Sequence, residues 1–373
     1  MRLLYVENAL AIHGGVERVV TDKLNWLVEN VGNDVCLLTA NQGNHPVVFP
    51  LNPKVQWHDA GIMFHQVYRY SVWKRYCLLF KLHKLFRQYI AEIIRTFSPD
   101  VIVCTSLDIV PDVIMARNSI PVVYESHSSY LFYKFDSYSW IQKLYIKYCY
   151  RVLKKAQMII ALTEGDALVW KGVTRNVCVI PNIVHLNETN CYSDCQSKSV
   201  IFVGRYSFQK DIQTLLRIWE IVHTRHPDWV LHLFGGYGNL LVSLRKKIKC
   251  LGINVVMHQP KASINEDYLK SSMLLMTSRF EPFGLVLPEA MSCGLPVIAF
   301  DCPYGPADII SDGIDGYLIK NRDINAFANK VCLLMENEDM RISMGKAGIQ
   351  SSQRYRANII MPQWMQLFNQ MSN

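Results

Sequence analysis

The stretch Val177-Cys178-Val179-Ile180-Pro181-Asn182, the polar run from His185 to Ser199 and the restart at Val200-Ile201-Phe202-Val203-Gly204 decide how this chain is organised. Before it, short β-branched runs at Arg2 to Val6, Asp34 to Thr39, Val101 to Cys104, Pro121 to Tyr124 and Met158 to Leu162 alternate with helical periodicity. After it the same rhythm begins again, with a helix near Asp211 to His226 and strands at Val230 to Phe234, Asn254 to Met257, Met273 to Thr277 and Pro296 to Phe300. Such alternation predicts parallel sheets covered by helices, so the fold class is α/β with two Rossmann-like, doubly wound domains.

The polar run marks the boundary. It predicts an N-terminal domain over 1–184, a linker over 185–198 and a C-terminal domain over 199–355. A last helix over 356–373 carries Ile359, Ile360, Trp364, Leu367 and Phe368 at helical spacing, which predicts that it crosses back to bury a stripe on the first domain. A chain of 373 residues suits two α/β domains, because single cores stop growing at roughly 250 to 300 residues.

Half the residues are hydrophobic and 19% are charged, which is globular composition. Glu7 interrupts the first apolar run too early for a signal peptide, and no run reaches the roughly 18 apolar residues of a spanning helix. Eleven cysteines, mostly inside apolar runs, suit buried thiols in a reducing cytoplasm. Cys191 and Cys195 in the polar run could pair or bind metal, but no second ligand pair accompanies them.

The strongest chemical signal is Ser278-Arg279-Phe280-Glu281-Pro282-Phe283-Gly284-Leu285-Val286-Leu287-Pro288-Glu289, a strand end, a loop and a helix expected to begin near Phe283 or Gly284. Backbone N–H groups between the two acids would form an anion site at the sheet's carboxyl edge. A carboxylate accepts from two vicinal hydroxyls, so Glu289 suits a ribose diol and Glu281 a transferred sugar. Taken singly, Glu281 reads as a solvated loop acid and Glu289 as an acid favoured by a helix dipole. The second signal is Gly204-Arg205-Tyr206-Ser207-Phe208-Gln209-Lys210-Asp211, where Arg205 and Lys210 can converge on one diphosphate and Asp211 can cap the next helix. Gly14 and Gly15 open the helix after the first strand and leave room for a ligand against its backbone. His127 follows another strand end, where it is a sugar ligand or an ordinary structural hydrogen-bonder.

The formal charge of +8 is concentrated in residues 60 to 155, which hold fourteen Lys and Arg against six Asp and Glu. Within a predicted helix over Val72 to Thr96, Lys74, Lys81, Lys84 and Arg87 share one side, opposite Leu78, Leu82, Leu85, Phe86, Tyr89 and Ile93. Residues 68–96 and 140–155 thus read either as a basic, aromatic surface for anionic lipid or as ordinary surface helices. No nucleic-acid-binding pattern occurs, and His13 to Arg18 lacks the third glycine of a dinucleotide fingerprint.

At these residues the chain resembles glycosyltransferase family 4, the retaining enzymes of the GT-B fold, in which two Rossmann-like domains face a central cleft. The likeness extends through Gly14-Gly15-Val16-Glu17-Arg18, Ile180-Pro181-Asn182, Arg205, Lys210 and Glu281 to Glu289. It also takes in Asp301-Cys302-Pro303-Tyr304-Gly305-Pro306-Ala307-Asp308, which is similar to branches building surface polysaccharides such as capsule and lipopolysaccharide, or lipid-linked oligosaccharides. The resemblance implies that Glu281, Arg205, Lys210 and His127 serve the reaction, and that Glu289, Phe283, Gly284, Leu285 and Gly204 bind the donor. Gly14 and Gly15 would lie on the acceptor side. It implies transfer of a hexose or N-acetylhexosamine from a nucleotide sugar, UDP-linked, to a glycan or lipid-linked acceptor. With no Asp-x-Asp triplet in the chain, no metal and no other cofactor is expected. The expected location is the cytoplasm, at the inner face of the membrane. The alternatives are a non-catalytic nucleotide-sugar-binding subunit and a GT-B epimerase.

Overall fold

A computed structural model describes residues 1–128, 139–236, 241–261 and 263–372. The chain divides into two compact units, Met1–Ile183 with Ala357–Asn373, and Val184–Arg356.

The first unit is built on a seven-stranded parallel sheet in the order β3-β2-β1-β4-β5-β6-β7. Its strands are β1 (Arg2–Glu7), β2 (Asp34–Thr39), β3 (Gln56–Asp59), β4 (Val101–Cys104), β5 (Val122–Glu125), β6 (Met158–Ala161) and β7 (Val177–Val179). Strands β1, β4 and β5 are almost wholly buried, as apolar strands covered by helices on both faces should be. Strand β3, Gln-Trp-His-Asp, has no apolar run because it is the sheet's edge and is largely exposed, and it lies outside the expected set of strands. The order reverses between β1 and β4, so their carboxyl ends flank the crevice where parallel sheets hold ligands.

The long helix Val72–Phe97 buries Phe86, Ile90, Ile93, Ile94 and Phe97. The expected division of its faces needs correction at three positions. Leu85 and Tyr89 are exposed rather than facing the core. Arg87 is held 3.5 Å from Asp112 of the helix Val110–Ala116, where His83 also meets the same carboxylate at 2.6 Å. The helix Ala357–Ser372 buries Ile360, Met361, Trp364, Leu367 and Phe368. Ile359, grouped with that stripe in the sequence, is exposed.

The second unit carries a six-stranded parallel sheet ordered β10-β9-β8-β11-β12-β13. Its strands are β8 (Ser199–Val203), β9 (Val230–Phe234), β10 (Val255–His258), β11 (Met273–Met276), β12 (Val297–Asp301) and β13 (Gly316–Lys320). Here the order reverses between β8 and β11, and the loops after both strands emerge at the same edge. Helix Ile212–Arg225 fills the core beside β8 with Leu215, Leu216, Ile218, Trp219 and Val222, and begins at Asp211, whose carboxylate accepts from Thr214. All eleven cysteines are free thiols, including Cys191 and Cys195, the latter buried against the Gly294 carbonyl.

Candidate active site

In the second unit the basic loop after β8 and the acidic loop after β11 meet through specific bonds. Lys210 donates to Glu281 Oε2 at 2.6 Å, and Ser278 donates to the same oxygen at 3.0 Å. Both partners of the ion pair are nearly buried, so their attraction is weakly screened. The methylenes of Lys210 run beside Gly204. Arg205 is exposed and its side chain has no hydrogen-bond or ion-pair partner among the described residues. Thus the loop offers one cation committed to a carboxylate and a second open to solvent.

The acidic loop is clamped on both sides. Glu281 N–H donates to the Pro303 carbonyl at 2.6 Å, and Tyr304 and Gly305 N–H groups return to the Glu281 carbonyl at 2.9 Å each. Gly305 permits this approach, because a β-carbon there would stand 1.8 Å from the Phe283 carbonyl oxygen. Gly284 has φ of +100°, a conformation side-chain-bearing residues rarely adopt. The N–H groups of Phe283, Gly284 and Leu285 have no acceptor among the described residues, which leaves three donors in sequence for an anion or a sugar oxygen.

The helix begins at Val286 rather than at Phe283 or Gly284, two to three residues later than the sequence suggests. The positive φ at Gly284 explains the delay, since a helix cannot pass through it. Glu289 consequently falls in the first turn, half-buried, and accepts from the Tyr268 hydroxyl at 3.4 Å. Tyr268 itself is buried, and burial first, then the Glu289 charge, raises its pKa well above the ordinary value. It is therefore a neutral donor that orients the carboxylate.

Asp211 ties the two loops together. Its carboxylate meets Arg322 at 2.6 Å and Arg279 at 2.8 Å, and Arg322 also donates to the Ser278 and Thr277 carbonyls at 2.5 and 3.2 Å. Arg279 N–H reaches the Gln209 carbonyl, and the Gln209 amide reaches the Phe280 carbonyl. Sequence reasoning missed Arg322, Tyr268 and Ser278. Arg322 lies 111 positions from its partner, and no local spacing marks it.

In the first unit a pocket of about 360 Å³ opens at the β1/β4 switch point, lined by Glu7, Asn8, Thr105, Asp108 and His127 among others. Gly14 and Gly15 are not among its lining residues; they stand at the start of the helix Gly15–Trp26, whose Val16 and Glu17 do line the pocket. Glu7 is buried and accepts from Thr105, from Ser106 at 2.8 Å and from the Asn8 N–H at 2.8 Å. Burial raises its pKa, against the pull of those hydrogen bonds.

His127 is buried, with Nε2 3.3 Å from Glu125 Oε1 but outside hydrogen-bond geometry. Glu125 is in turn bonded by Lys23 at 2.6 Å, both side chains being 1% exposed. Lys23 lies 3.4 Å from the centre of the Trp364 ring. Burial lowers the Lys23 pKa to about 8 against the opposing pull of Glu125. For Glu125 burial pushes upward, but the charges of Lys23 and His127 outweigh it and leave the carboxyl at about 2. The acid is thus ionised at neutral pH and faces the imidazole, which favours a fixed ring orientation.

Comparison with known proteins follows the same division. Residues 13–188 match the family model described as Glycosyltransferase Family 4, and residues 193–351 match that described as Glycosyl transferases group 1. The chain is 28% identical to the amylovoran biosynthesis glycosyltransferase AmsD of Erwinia amylovora over 99% of each chain. With the lipopolysaccharide 1,6-galactosyltransferase of Escherichia coli it shares 27% identity over 63% of this chain and 65% of that one. A TarM variant of Staphylococcus aureus, crystallised with UDP, fondaparinux and α-GlcNAc-glycerol, superposes with a TM-score of 0.82 at 16% identity, covering 99% of this chain and 100% of that one. Sucrose-phosphate synthase from Thermosynechococcus elongatus gives 0.82 at 19% identity, covering 100% and 99%. At such identities the structural likeness shows the fold alone, which is GT-B.

Proposed function

Because the chain belongs to glycosyltransferase family 4, we propose that it moves a hexose or N-acetylhexosamine from a UDP-sugar to a glycan or lipid-linked acceptor during surface-polysaccharide assembly. The observation that carries this reading is the junction of Lys210 and Glu281 at 2.6 Å beside the three unpaired N–H groups of Phe283 to Leu285. That junction offers positive charge for a diphosphate and a carboxylate for sugar hydroxyls at one sheet edge. The UDP bound in the TarM structure supports the donor, and the lipopolysaccharide named for the Escherichia coli relative, with the amylovoran biosynthesis named for AmsD, supports the setting.

In this reading Glu289 holds the ribose diol and Glu281 the donor sugar. Lys210 has three N–H donors, so it keeps Glu281 while contributing to the diphosphate, and Arg205 supplies the second positive charge. As the bond from the anomeric carbon to the departing phosphate oxygen breaks, the acceptor oxygen forms its bond on the same face. Its proton passes to the departing phosphate. Configuration is retained, no protein base is needed, and the two cations do the electrostatic work a divalent ion does elsewhere. His127 binds a sugar hydroxyl, and Gly14 and Gly15 leave the acceptor side open.

Two lines support contact with an anionic membrane through residues 68–96 and 140–155. Trp73 is 86% exposed, Trp140 71% and Phe80 69%, alongside exposed Lys74, Lys81 and Lys84. No helix among the described residues is long and apolar enough to span a bilayer. The contact we propose is a peripheral one, and we place it at the cytoplasmic face.

The test is a donor screen by mass spectrometry, with UDP- and GDP-sugars, a lipid-glycan extract and parallel EDTA. Transfer from one UDP-sugar, unchanged by EDTA and with the donor's anomeric configuration in the product, is the expected result. Nucleotide binding without turnover of any donor would make the chain a non-catalytic subunit, and donor turnover without transfer would make it an epimerase or hydrolase.

A further inference from the structure

Lys23, Glu125 and His127 form a chain that runs from the core of the first unit to the β1/β4 pocket. Lys23 and Glu125 are each 1% exposed and bonded at 2.6 Å. The ammonium group stands 3.4 Å from the ring centre of Trp364, on the helix Ala357–Ser372, and 6.0 Å from that of Tyr5 on β1. Stability gives no reason for two buried charges here, because well-packed apolar side chains of similar volume commonly hold such a contact as well or better. The pocket end supplies one. His127 lines the pocket, and its Nε2 is buried with no hydrogen-bond partner among the described residues, 3.3 Å from Glu125 Oε1. Burial alone would raise the Glu125 carboxyl, yet the charges of Lys23 and His127 hold it at about 2, so an anion faces the imidazole at neutral pH.

We propose that Lys23 is a positioning residue of the transfer reaction, which acts through Glu125 to keep the His127 proton on Nε2 and the lone pair of Nδ1 free for a sugar hydroxyl. The proposal rests on the glycosyltransferase reading, in which His127 binds such a hydroxyl, and adds what sets the state of that imidazole. An ionised carboxylate only accepts, so the ring nitrogen beside it must carry the proton. Contacts of this length commonly tighten when substrate engages the far side of the ring. Without Lys23, Glu125 would be a lone buried anion, and such a group is relieved by taking up a proton or by drawing one onto its neighbour. A protonated carboxyl would donate to Nε2 and move the imidazole proton to Nδ1, whereas an imidazolium has two donors and no acceptor. Either state removes the acceptor at Nδ1. Trp364, with its ring face on the ammonium group, extends this tie to the last helix of the chain.

The test uses the full chain with isotope-labelled histidine, whose two-bond proton–nitrogen NMR spectrum at neutral pH distinguishes the two tautomers from the imidazolium. The His127 signals are those missing from His127→Gln. The Nε2–H tautomer is expected in the parent chain, and the Nδ1–H tautomer or the imidazolium in Lys23→Met. Transfer is measured beside it with the donor that the screen identifies. Its kcat/KM is expected to fall about tenfold or more in Lys23→Met, but less than about twofold when the same change is made in His127→Ala. Where Lys23→Met fails to fold, Lys23→Met combined with Glu125→Leu carries the test, since it removes both buried charges together. That variant should keep near-parent thermal stability, lose the single Nε2–H pattern and transfer about tenfold more slowly or worse. The Nδ1–H tautomer in the parent chain, an unchanged tautomer in the variants, near-parent transfer in the folded double variant, or an undiminished loss in the His127→Ala background each overturn the inference. A wrong tautomer beside normal transfer overturns it alone. Tautomers that respond as expected in a chain that transfers no sugar from any donor overturn the glycosyltransferase reading and leave the placement of the proton standing.

Discussion

Lys210 and Glu281 form a single unit at the residue scale, because each is the other's closest charge in a nearly dry setting. Lys210→Ala and Glu281→Ala are each expected to lower transfer at least tenfold, about 1.4 kcal/mol of transition-state stabilisation, with circular dichroism unchanged. The double variant should be little slower than the worse single one, since neither group retains its role without the other. Near-normal rates in both folded single variants would remove these residues from the site. A second expectation concerns pH. The Glu125 carboxyl sits at about 2 in the folded chain, below its unfolded value near 4.3, so its contribution to stability is present above about pH 4.3 and is lost as pH falls towards 2. Unfolding of the parent chain across that window should therefore steepen with acid, and Glu125→Gln should flatten the dependence while lowering stability at pH 7. An unaltered acid profile in Glu125→Gln would show that another carboxylate carries it. These charges were readable from the sequence only in part. Lys210, Glu281 and Glu289 stand in a recognisable run, but the partner Lys23 is 102 positions from Glu125 and sits on a helix face that nothing local distinguishes.

Elements explain why the run from Ser278 to Glu289 works as a loop followed by a helix. Its order of strand end, loop and helix was legible because a continuous apolar run, Met273 to Met276, stops before the polar Ser278-Arg279 and the Pro282 and Gly284 of the loop. The delayed helix start was not, because it depends on the φ of Gly284 and on the neighbouring Gly305, which lets the Phe283 carbonyl pass. Strand β3 was equally hidden, since an exposed edge strand needs no apolar run. Gly305→Ala tests the contact directly. A β-carbon placed 1.8 Å from a backbone oxygen cannot be accommodated by a side-chain rotation, so the 281–285 segment must shift. Donor binding measured by calorimetry is expected to fall by tenfold or more, with thermal stability also reduced. Retained affinity would mean that the loop's position is unimportant to the donor. Arg322→Met is the complementary change, leaving the loop sequence intact while removing the bonds to Asp211, Ser278 and Thr277. Hydrogen bonds to charged groups contribute about 1.5–3 kcal/mol, and a loss of that order in chemical denaturation is expected. A loss under 0.5 kcal/mol would mean that Arg279 alone holds Asp211.

The distribution of charge and apolar surface makes its own prediction at the scale of the whole molecule. The excess of eight positive charges over residues 60 to 155 equals that of the entire chain, and the exposed part of the helix Val72–Phe97 mixes lysines with Trp73, Phe80, Leu85 and Tyr89. A purely solvated helix would keep such large rings covered, whereas an interfacial one presents rings and ammonium groups on the same side. The structure in fact places more apolar surface there than the sequence's two-sided pattern allowed, because Leu85 and Tyr89 are turned away from the core. A basic residue near an anionic surface contributes about 1 kcal/mol, so three lysines together change partitioning by roughly two orders of magnitude. Lys74→Glu, Lys81→Glu and Lys84→Glu combined are therefore expected to abolish co-sedimentation with vesicles containing 30% anionic lipid. Trp73→Ala should weaken it several-fold at any salt concentration, because ring burial is not screened. The parent chain should release as ionic strength rises and bind zwitterionic vesicles weakly. Transfer to a short soluble acceptor should be unaffected by the charge reversals, since these positions line no part of the β1/β4 pocket or of the loops around Lys210 and Glu281. If the triple variant still sediments with anionic vesicles as the parent does, the surface has another purpose, and the lysines merely keep an ordinary helix hydrated.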